Sequence, residues 1–404
     1  MMRSAPQALP IDTNKQLLQR FGFEDLMSTT KLAAPALSLL LVACVSTGPQ
    51  PNAAGIIEHC GDITYDEVWT AEALHVITCD VDVYEATLFV DAGTRVEVAA
   101  DTELSISRGG QAGGLVTMGT PEEPVVFTAH NGEIPGSWTG ISIHPDALDA
   151  DLELVNTRIE WGGGYTGGWT GGLRVVAAEV YVDGLELSGS ASWGLMLDDG
   201  AQLAEGSSGL VVISNAGAAK VIRASGLGSL PADSIFWDNE DNTLESWGGD
   251  ITEDTTFHTF DAPYVFDGEV EVGSPDAGAT LTIEAGSTLR FLDDGMTVGA
   301  GSNGTLIAQG TDEWPIVFMG DGVAGSWDGI TFGASSTNSV LDHVDVADGG
   351  YYANVAVWTD AELLIDHAFI HNSSSCAIKR ISGGDPELGA ITYQDNEEGD
   401  LCGQ

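Results

Sequence analysis

One stretch of this chain occurs twice, and this duplication constrains the fold more than any other feature. Residues 119–141 read GTPEEPVVFTAHNGEIPGSWTGI, and residues 310–330 read GTDEWPIVFMGDGVAGSWDGI. Both copies contain Gly-Thr, then Pro-aliphatic-Val-Phe, a polar loop and Gly-Ser-Trp-x-Gly-Ile. An ordered match of this length indicates a chain built from repeated structural units.

The duplication extends beyond this stretch. The segment GDIT at 61–64, for example, recurs at 249–252. We therefore predict two homologous halves, 60–248 and 249–404. The spacing between matched positions falls toward the end of the chain, which predicts that the first half carries extra residues within 196–230.

The composition favours strands and turns over helices. The chain has 52 glycines, and short runs of Val, Ile, Leu, Thr and Phe alternate with Gly, Asp and Asn. Such runs are typical of strands bounded by turns. Helical periodicity is absent after residue 44. Together with the duplication, this predicts a solenoid whose turns stack side by side around one apolar core.

A family resemblance makes this prediction more specific. The order ATLTIEAG at 279–286, Gly-Thr, Pro-Ile-Val-Phe, Gly-Ser-Trp-x-Gly-Ile and Leu-x-His-Val-x-Val resembles the right-handed parallel β-helix repeat proteins of bacterial surfaces. The resemblance covers nearly all of 61–404. It implies an all-β, single-stranded right-handed parallel β-helix. It does not fix a function, because this fold carries adhesins, structural proteins and polysaccharide lyases alike.

The N-terminal region is predicted to direct export. Residues 27–43 have the charge and the short apolar run of a signal peptide, and they end in Leu-Val-Ala before Cys44. This resembles the bacterial lipobox, which implies a lipid on Cys44 and an outer-membrane lipoprotein that faces the surface or the periplasm. Several acyl chains on one residue give stable anchoring. Residues 1–26 fit no signal, so Met27 is the expected start, and 44–59 is the expected tether.

Four cysteines remain after Cys44. Exported chains reside in oxidising compartments, where an even count suggests disulfides. Four cysteines allow three pairings. Two lie at the start of the fold and two at its end, which favours the local pairs Cys60–Cys79 and Cys376–Cys402. A metal site is disfavoured because no CxxC spacing accompanies them.

The charge balance excludes one class of partner. The formal net charge is -48, so the chain lacks the clustered Lys and Arg that nucleic-acid binding requires. The acidic residues are spread along the chain, as expected of a folded surface. They serve solubility or they bind divalent cations. Calcium is the only cofactor to consider, and no metal ligands are assigned because no calcium loop is recognised.

Candidate catalytic residues are few. Lyases with this fold use Lys or Arg as base, and Lys379-Arg380 is the one adjacent basic pair of the mature chain. Glycoside hydrolases with this fold use grouped Asp residues, for which Asp198-Asp199 and Asp293-Asp294 are candidates. Each of these Asp pairs precedes a Gly and is also ordinary turn chemistry. No catalytic residue is assigned.

The tryptophans divide into two groups. Trp138 and Trp327 occupy the duplicated motif, so they are predicted to fill the core. Trp161, Tyr165 and Trp169 fall in or beside a Gly-rich stretch, GGGYTGGWTGG. Aromatic rings with little side chain around them can stack on sugars, so these three are candidate ligand contacts.

We predict a non-catalytic structural or binding module, anchored by lipid in the cell envelope and directed toward extracellular polysaccharide. The alternative is a carbohydrate-active enzyme, either a lyase or a glycoside hydrolase. An enzyme should show carboxylates from neighbouring turns that converge within about 5 to 10 Å.

Overall fold

The computed structural model describes Asn52 and residues 55–130, 132–164 and 170–403. The predicted signal peptide, Cys44, Tyr165 and Trp169 lie outside these residues. The described chain forms a parallel β-solenoid of about 13 turns with about 2% helix, which confirms the predicted β-helix. The first strand begins at Ile56, inside the segment expected to be tether. Among the described residues, no helix has the length and apolar character needed to cross a membrane.

The strands are short, and each is followed by a turn or corner. Those of the first half are β1 (Ile56–Ile63), β2 (Glu67–Trp69), β3 (Leu74–Val83), β4 (Thr87–Asp91), β5 (Arg95–Val98), β6 (Glu103–Ile106), β7 (Gly114–Met118), β8 (Val125–Ala129), β9 (Gly140–Ile143), β10 (Leu152–Glu160), β11 (Gly171–Val176), β12 (Glu179–Ser188), β13 (Trp193–Asp198), β14 (Gln202–Leu203), β15 (Val211–Ile213), β16 (Gly217–Val221), β17 (Ile235–Trp237) and β18 (Asp241–Ser246). A one-turn helix, α1 (Ala224–Leu227), and a 3-10 turn (Asp149–Asp151) interrupt them.

The second half continues in the same manner. Its strands are β19 (Gly249–Ile251), β20 (Thr255–Phe257), β21 (Tyr264–Phe266), β22 (Val270–Val272), β23 (Ala279–Ile283), β24 (Thr288–Phe291), β25 (Met296–Val298), β26 (Gly304–Gln309), β27 (Ile316–Met319), β28 (Ile330–Phe332), β29 (Ser339–Asp342), β30 (Val344–Ala347), β31 (Ala353–Trp358), β32 (Leu363–Asp366), β33 (Ala368–His371), β34 (Cys376–Ile381), β35 (Glu387–Leu388), β36 (Ile391–Gln394) and β37 (Gly399–Cys402).

Each turn of the solenoid contributes one strand to each of three stacks. In the first half, stack 1 runs from β2 to β14, stack 2 from β1 to β17 and stack 3 from β1 to β18. Stack 3 continues through β21 to β36, whereas stack 4 (β20 to β35) and stack 5 (β19 to β37) begin anew. All registered strand pairs within these stacks are parallel.

The two halves are offset by one stack. The sequence match pairs Thr157 and Ile159 with Val344 and Val346. The first two lie in stack 2, but the last two lie in stack 3. The offset arises at the junction between the halves, where β18 pairs with β21 as its next neighbour in stack 3. The helix α1 lies just before this junction, within the extra residues predicted at 196–230.

The core is a set of ladders of apolar side chains. Alternate residues of each strand point inward, so equivalent positions stack along the solenoid. One such ladder is aromatic: Phe266 stacks on Phe291 at 5.0 Å, and Phe291 on Trp327 at 4.6 Å between ring centroids. All three are buried. Each stabilises the fold by roughly 1.5–3 kcal/mol through burial alone.

The duplicated motif serves this core. Trp138 and Trp327 are fully buried, as predicted. Their indole N–H groups donate to equivalent carbonyls on the next turn, Glu160 at 2.8 Å and Ala347 at 2.7 Å. The Gly that follows in Trp-x-Gly has a positive φ in both copies, 116° and 92°. A Cβ at either Gly would collide with a backbone carbonyl of the next turn. The motif is therefore explained by folding.

Both predicted cysteine pairs lie at disulfide distance. The Cα atoms of Cys60 and Cys79 are 4.9 Å apart, and those of Cys376 and Cys402 are 6.2 Å apart. The first pair joins the first two turns, and the second joins β34 to β37 in the last two. Each end of the solenoid therefore has a covalent link between neighbouring turns, where frayed turns would otherwise open.

A cluster of aromatic and imidazole rings fills the core beside the first disulfide. The ring of His59 stacks on Trp69 at 4.0 Å, and His59 Nε2 lies 2.9 Å from Nδ1 of His75. Burial and the neighbouring His75 lower the pKa of His59 to about 3. Burial likewise lowers the pKa of His75. Both rings are therefore neutral at physiological pH.

Candidate functional site: a tryptophan and lysine groove

The predicted aromatic site is only partly described. Trp161 is half-buried and packs against the core, with its ring directly over Gly189 of the next turn. Its backbone has φ 65°, in the left-handed region. This arrangement gives Trp161 a packing role. The prediction that it stacks on a ligand together with Tyr165 and Trp169 remains a prediction, because those two lie outside the described residues.

The carboxylate pairs proposed for catalysis differ in their surroundings. Asp198 accepts a hydrogen bond from Arg174 at 2.7 Å, and Asp199 lies 3.7 Å from Arg223. These two are therefore occupied by ion pairs. Asp293 and Asp294 lie near Asp328, whose pKa is raised by partial burial and further by the charges of Asp294, Asp293 and Glu269.

The basic pair near the C-terminal end lies on strand β34. Arg380 forms an ion pair with the exposed Asp385 at 3.0 Å. Lys379 lies on stack 5, opposite Ala356 and Cys402 of the neighbouring turns. A surface ion pair accounts for this arrangement.

Several of the rare basic residues line up on the outer surface of stack 3. Arg174 and Lys220 flank Met196 in the strand register, and Arg290 lies three turns beyond Lys220. Only nine Lys and Arg residues follow residue 44. Three of these nine, Arg174, Lys220 and Arg290, therefore share one register position of stack 3.

These residues border a groove at the junction of the two halves. We define the stack 3 groove by its lining: Lys220, Asp241, Thr243, Glu245, Ser246, Trp247, Val265, Asp267, Arg290 and Leu292. Its volume is about 300 Å³. Two indole rings flank the lysine, since Lys220 Nζ lies 4.7 Å from the centroid of Trp193 and 5.8 Å from that of Trp247.

Charge pairing holds the floor of the groove in place. Lys220 donates to Glu245 at 2.7 Å across the turns, and Arg290 forms an ion pair with Asp321 at 3.3 Å. A lysine between two rings is stabilised by their negative faces. The side chain of Lys220 is only 14% exposed, whereas Trp247 is 43% exposed. The groove thus presents an aromatic surface beside fixed hydrogen-bonding groups.

Sequence reasoning missed Lys220 and Trp247. A signal was present: Met196, Lys220 and Glu245 recur at intervals of 24 and 25 residues, one solenoid turn apart. Scarcity of lysine was a second signal. The junction, however, can be located only when the register of each turn is known.

Comparisons with family models, with curated proteins and with solved structures find no match for this chain. The functional argument therefore rests on the chain's own residues.

Proposed function

We propose that this protein is a lipid-anchored module of the cell envelope that binds an extended, uncharged polysaccharide without cleaving it. The observation that carries the proposal is the stack 3 groove, in which the exposed ring of Trp247 lies beside Lys220, Glu245 and Asp241. Sugar rings stack on aromatic faces through their C–H groups, while carboxylates and ammonium groups hydrogen-bond to hydroxyls. Neighbouring strands about 4.8 Å apart provide a flat surface along which a chain can extend.

The charge of the groove favours an uncharged ligand. Three carboxylates (Asp241, Glu245, Asp267) face two cations (Lys220, Arg290), a local balance of 2 − 3 = −1. The whole chain carries -48. A polyanionic glycan would be repelled over the scale of a Debye length, about 8 Å in physiological salt.

The anchor in this proposal is the predicted lipid on Cys44. Mass spectrometry of the mature N-terminus tests it directly: the expected first residue is a diacylglyceryl Cys44, and Cys44→Ser should release the protein from the membrane fraction. An unmodified or uncleaved N-terminus contradicts the anchor and leaves glycan binding to be judged on its own.

Glycan binding is tested with two exposed tryptophans. A glycan array first identifies the neutral chain bound, and calorimetry then compares Trp247→Ala with Trp237→Ala. Trp237 is 61% exposed but lies on β17 in stack 2. Loss of one stacking contact of about 1.4 kcal/mol weakens binding about tenfold. We expect this for Trp247→Ala and no change for Trp237→Ala. Absence of neutral-glycan binding, or equal effects of both variants, refutes the proposal.

A second candidate function, glycoside hydrolysis, rests on Asp328. A carboxyl group with a raised pKa is suited to act as general acid, and Asp293, Asp294 and Glu269 provide further carboxylates nearby. Asp328 also occupies the variable position of the duplicated Trp-x-Gly motif, where the first half has Thr139.

The two candidates give different products. A binding module leaves the glycan intact, whereas a hydrolase releases reducing ends at a rate that Asp328→Asn abolishes. Release of reducing ends that is lost in Asp328→Asn but kept in Trp237→Ala would replace the binding proposal with the enzymatic one.

A further inference from the structure

Two consecutive Asp-His pairs lie at the same corner of the solenoid, one turn apart. Asp342 ends β29 and pairs in register with Asp366, which ends β32. His343 and His367 follow directly, at the corner that leads into stack 3. They border an open groove of about 500 Å³. This cluster lies apart from the lining of the stack 3 groove.

The donor atoms of this cluster lie close together. Asp342 Oδ1 is 2.9 Å from Nδ1 of His343 and 3.1 Å from Nδ1 of His367. Asp366 Oδ2 is 3.3 Å from the same His367 nitrogen. Donors of a tetrahedral zinc ion, each about 2.0–2.2 Å from the metal, lie roughly 3.3 Å apart. The separations in the cluster are close to this value, although the pair of His367 Nδ1 and Asp342 Oδ1 is also a hydrogen bond.

One of these atoms has no hydrogen-bond partner. Nδ1 of His343 is buried and unsatisfied, although Asp342 Oδ1 is only 2.9 Å away. The two atoms are near each other but are not aligned for an N–H···O bond. This ring nitrogen is therefore not committed to a hydrogen bond within the cluster.

Neighbouring backbone and carboxylate groups contact the side chains of this cluster and hold them in position. Asp366 Oδ1 accepts the backbone N–H groups of His367 at 2.9 Å and Ala390 at 2.7 Å, and its Oδ2 lies beside the ring of His367. Nε2 of His343 lies 3.4 Å from Asp312 Oδ1. A ligating imidazole commonly has a carboxylate at its other nitrogen, which fixes the ring orientation.

The first half shows which residues allow the chain to form this corner. The residues equivalent to His343 and His367 are Asn156 within β10 and Gly184 within β12, and both have positive φ, 40° and 73°. His343 and His367 have φ 49° and 45°. Gly adopts this conformation without strain and Asn tolerates it, so the corner can be built without imidazoles.

We propose that Asp342, His343 and His367 form a binding site for a borderline divalent transition metal, of which Zn²⁺ is the best fit. Two imidazoles and a carboxylate match zinc and its neighbours better than calcium, which takes six to eight oxygen ligands. The rings stack at 4.4 Å, so binding requires each to turn about its Cβ–Cγ bond. That torsion is soft in histidine, and His367 is half exposed.

Calorimetric titration of the full-length, oxidised, chelator-treated protein with ZnCl₂ tests the site. The variants are His343→Asn and His367→Gly, which restore the residues of the first half. The control is His130→Asn, since His130 also pairs with a carboxylate, Glu97 at 2.9 Å, but has no second imidazole. We expect one saturable zinc site, weakened at least tenfold in each corner variant and unchanged in the control. Unfolding in urea checks that the variants remain folded.

Two further measurements separate this site from the acidic surface. Cobalt should give the visible absorption bands of a tetrahedral complex, and His343→Asn should abolish them. Millimolar Ca²⁺ should not displace zinc. Zinc binding that persists in both corner variants, or that is weak, multivalent and removed by Ca²⁺, would overturn the proposal. Keeping the protein oxidised excludes binding by the thiols of Cys376 and Cys402.

Discussion

Replacing Trp327 by Phe tests whether the duplicated motif locks one turn to the next. Trp327 is 1% exposed, and its indole N–H donates to the carbonyl of Ala347 at 2.7 Å. Phe retains a ring against Phe291 but removes this donor. An unsatisfied buried carbonyl costs about 1–3 kcal/mol. The smaller ring forfeits roughly 40 Å² of burial, or about 1 kcal/mol. We therefore expect a loss of about 2–4 kcal/mol in the free energy of unfolding.

The assay is urea unfolding followed by far-UV circular dichroism, with hydrogen exchange as a local readout. A solenoid's stability is close to a sum over its turns, so the loss should concentrate near residues 327 and 347. Trp138→Phe should cost a similar amount, because its N–H donates to Glu160 at 2.8 Å.

The control for this prediction is Trp314→Phe. Trp314 is 60% exposed, so the change should stay within about 0.5 kcal/mol. If Trp327→Phe were as mild as the control, or if hydrogen exchange were unchanged around Ala347, the interpretation of the motif as an interturn lock would be wrong.

Three further predictions concern stability. His59 stays neutral in the fold, with a pKa of about 3, but titrates near 6.5 when unfolded, so its contribution to stability is complete above pH 6.5 and is lost as the pH falls. Between pH 7 and 5, the free energy of unfolding measured in urea should fall by about 2 kcal/mol on account of His59, and His59→Gln should remove this part of the loss. Gly329→Ala should cost more than about 1 kcal/mol in calorimetric melting, since it combines positive φ with a carbonyl clash, whereas Gly301→Ala, in open space, should be nearly neutral. Opening the 19-residue loop by Cys60→Ser with Cys79→Ser should cost about 3 kcal/mol, and an unchanged melting temperature would contradict the crosslink.

The fold was predictable because its determinants repeat along the sequence. Alternating Leu and Val residues, the Gly after each buried Trp and the duplicated stretch all report on the same stacked core. Trp138 and Trp327 were correctly predicted as core residues because a motif position that recurs in both halves serves what both halves share, which is packing.

The candidate sites were less predictable because they depend on register between turns. Lys220 faces Trp247 only because β16 pairs with β18, and two His-Asp pairs meet only because β29 and β32 pair without a shift. Turn lengths vary, so residue spacing alone does not state which outward side chains are neighbours. Because the halves are offset at β18, matched positions of the duplication lie in different stacks, so the sequence match does not identify neighbouring side chains either.

Differences between the halves are a better guide to function than their similarities. Positions that folding requires are the same in both copies, as with Trp138 and Trp327. Lys220 lies in the stretch 196–230, where extra residues of the first half are predicted, and His343 stands where the first half has Asn156. Both proposed sites therefore occupy positions that packing leaves free to vary. A duplicated solenoid separates the two demands: its repeated residues maintain the core, and its unrepeated outward residues are available to bind a glycan or a metal.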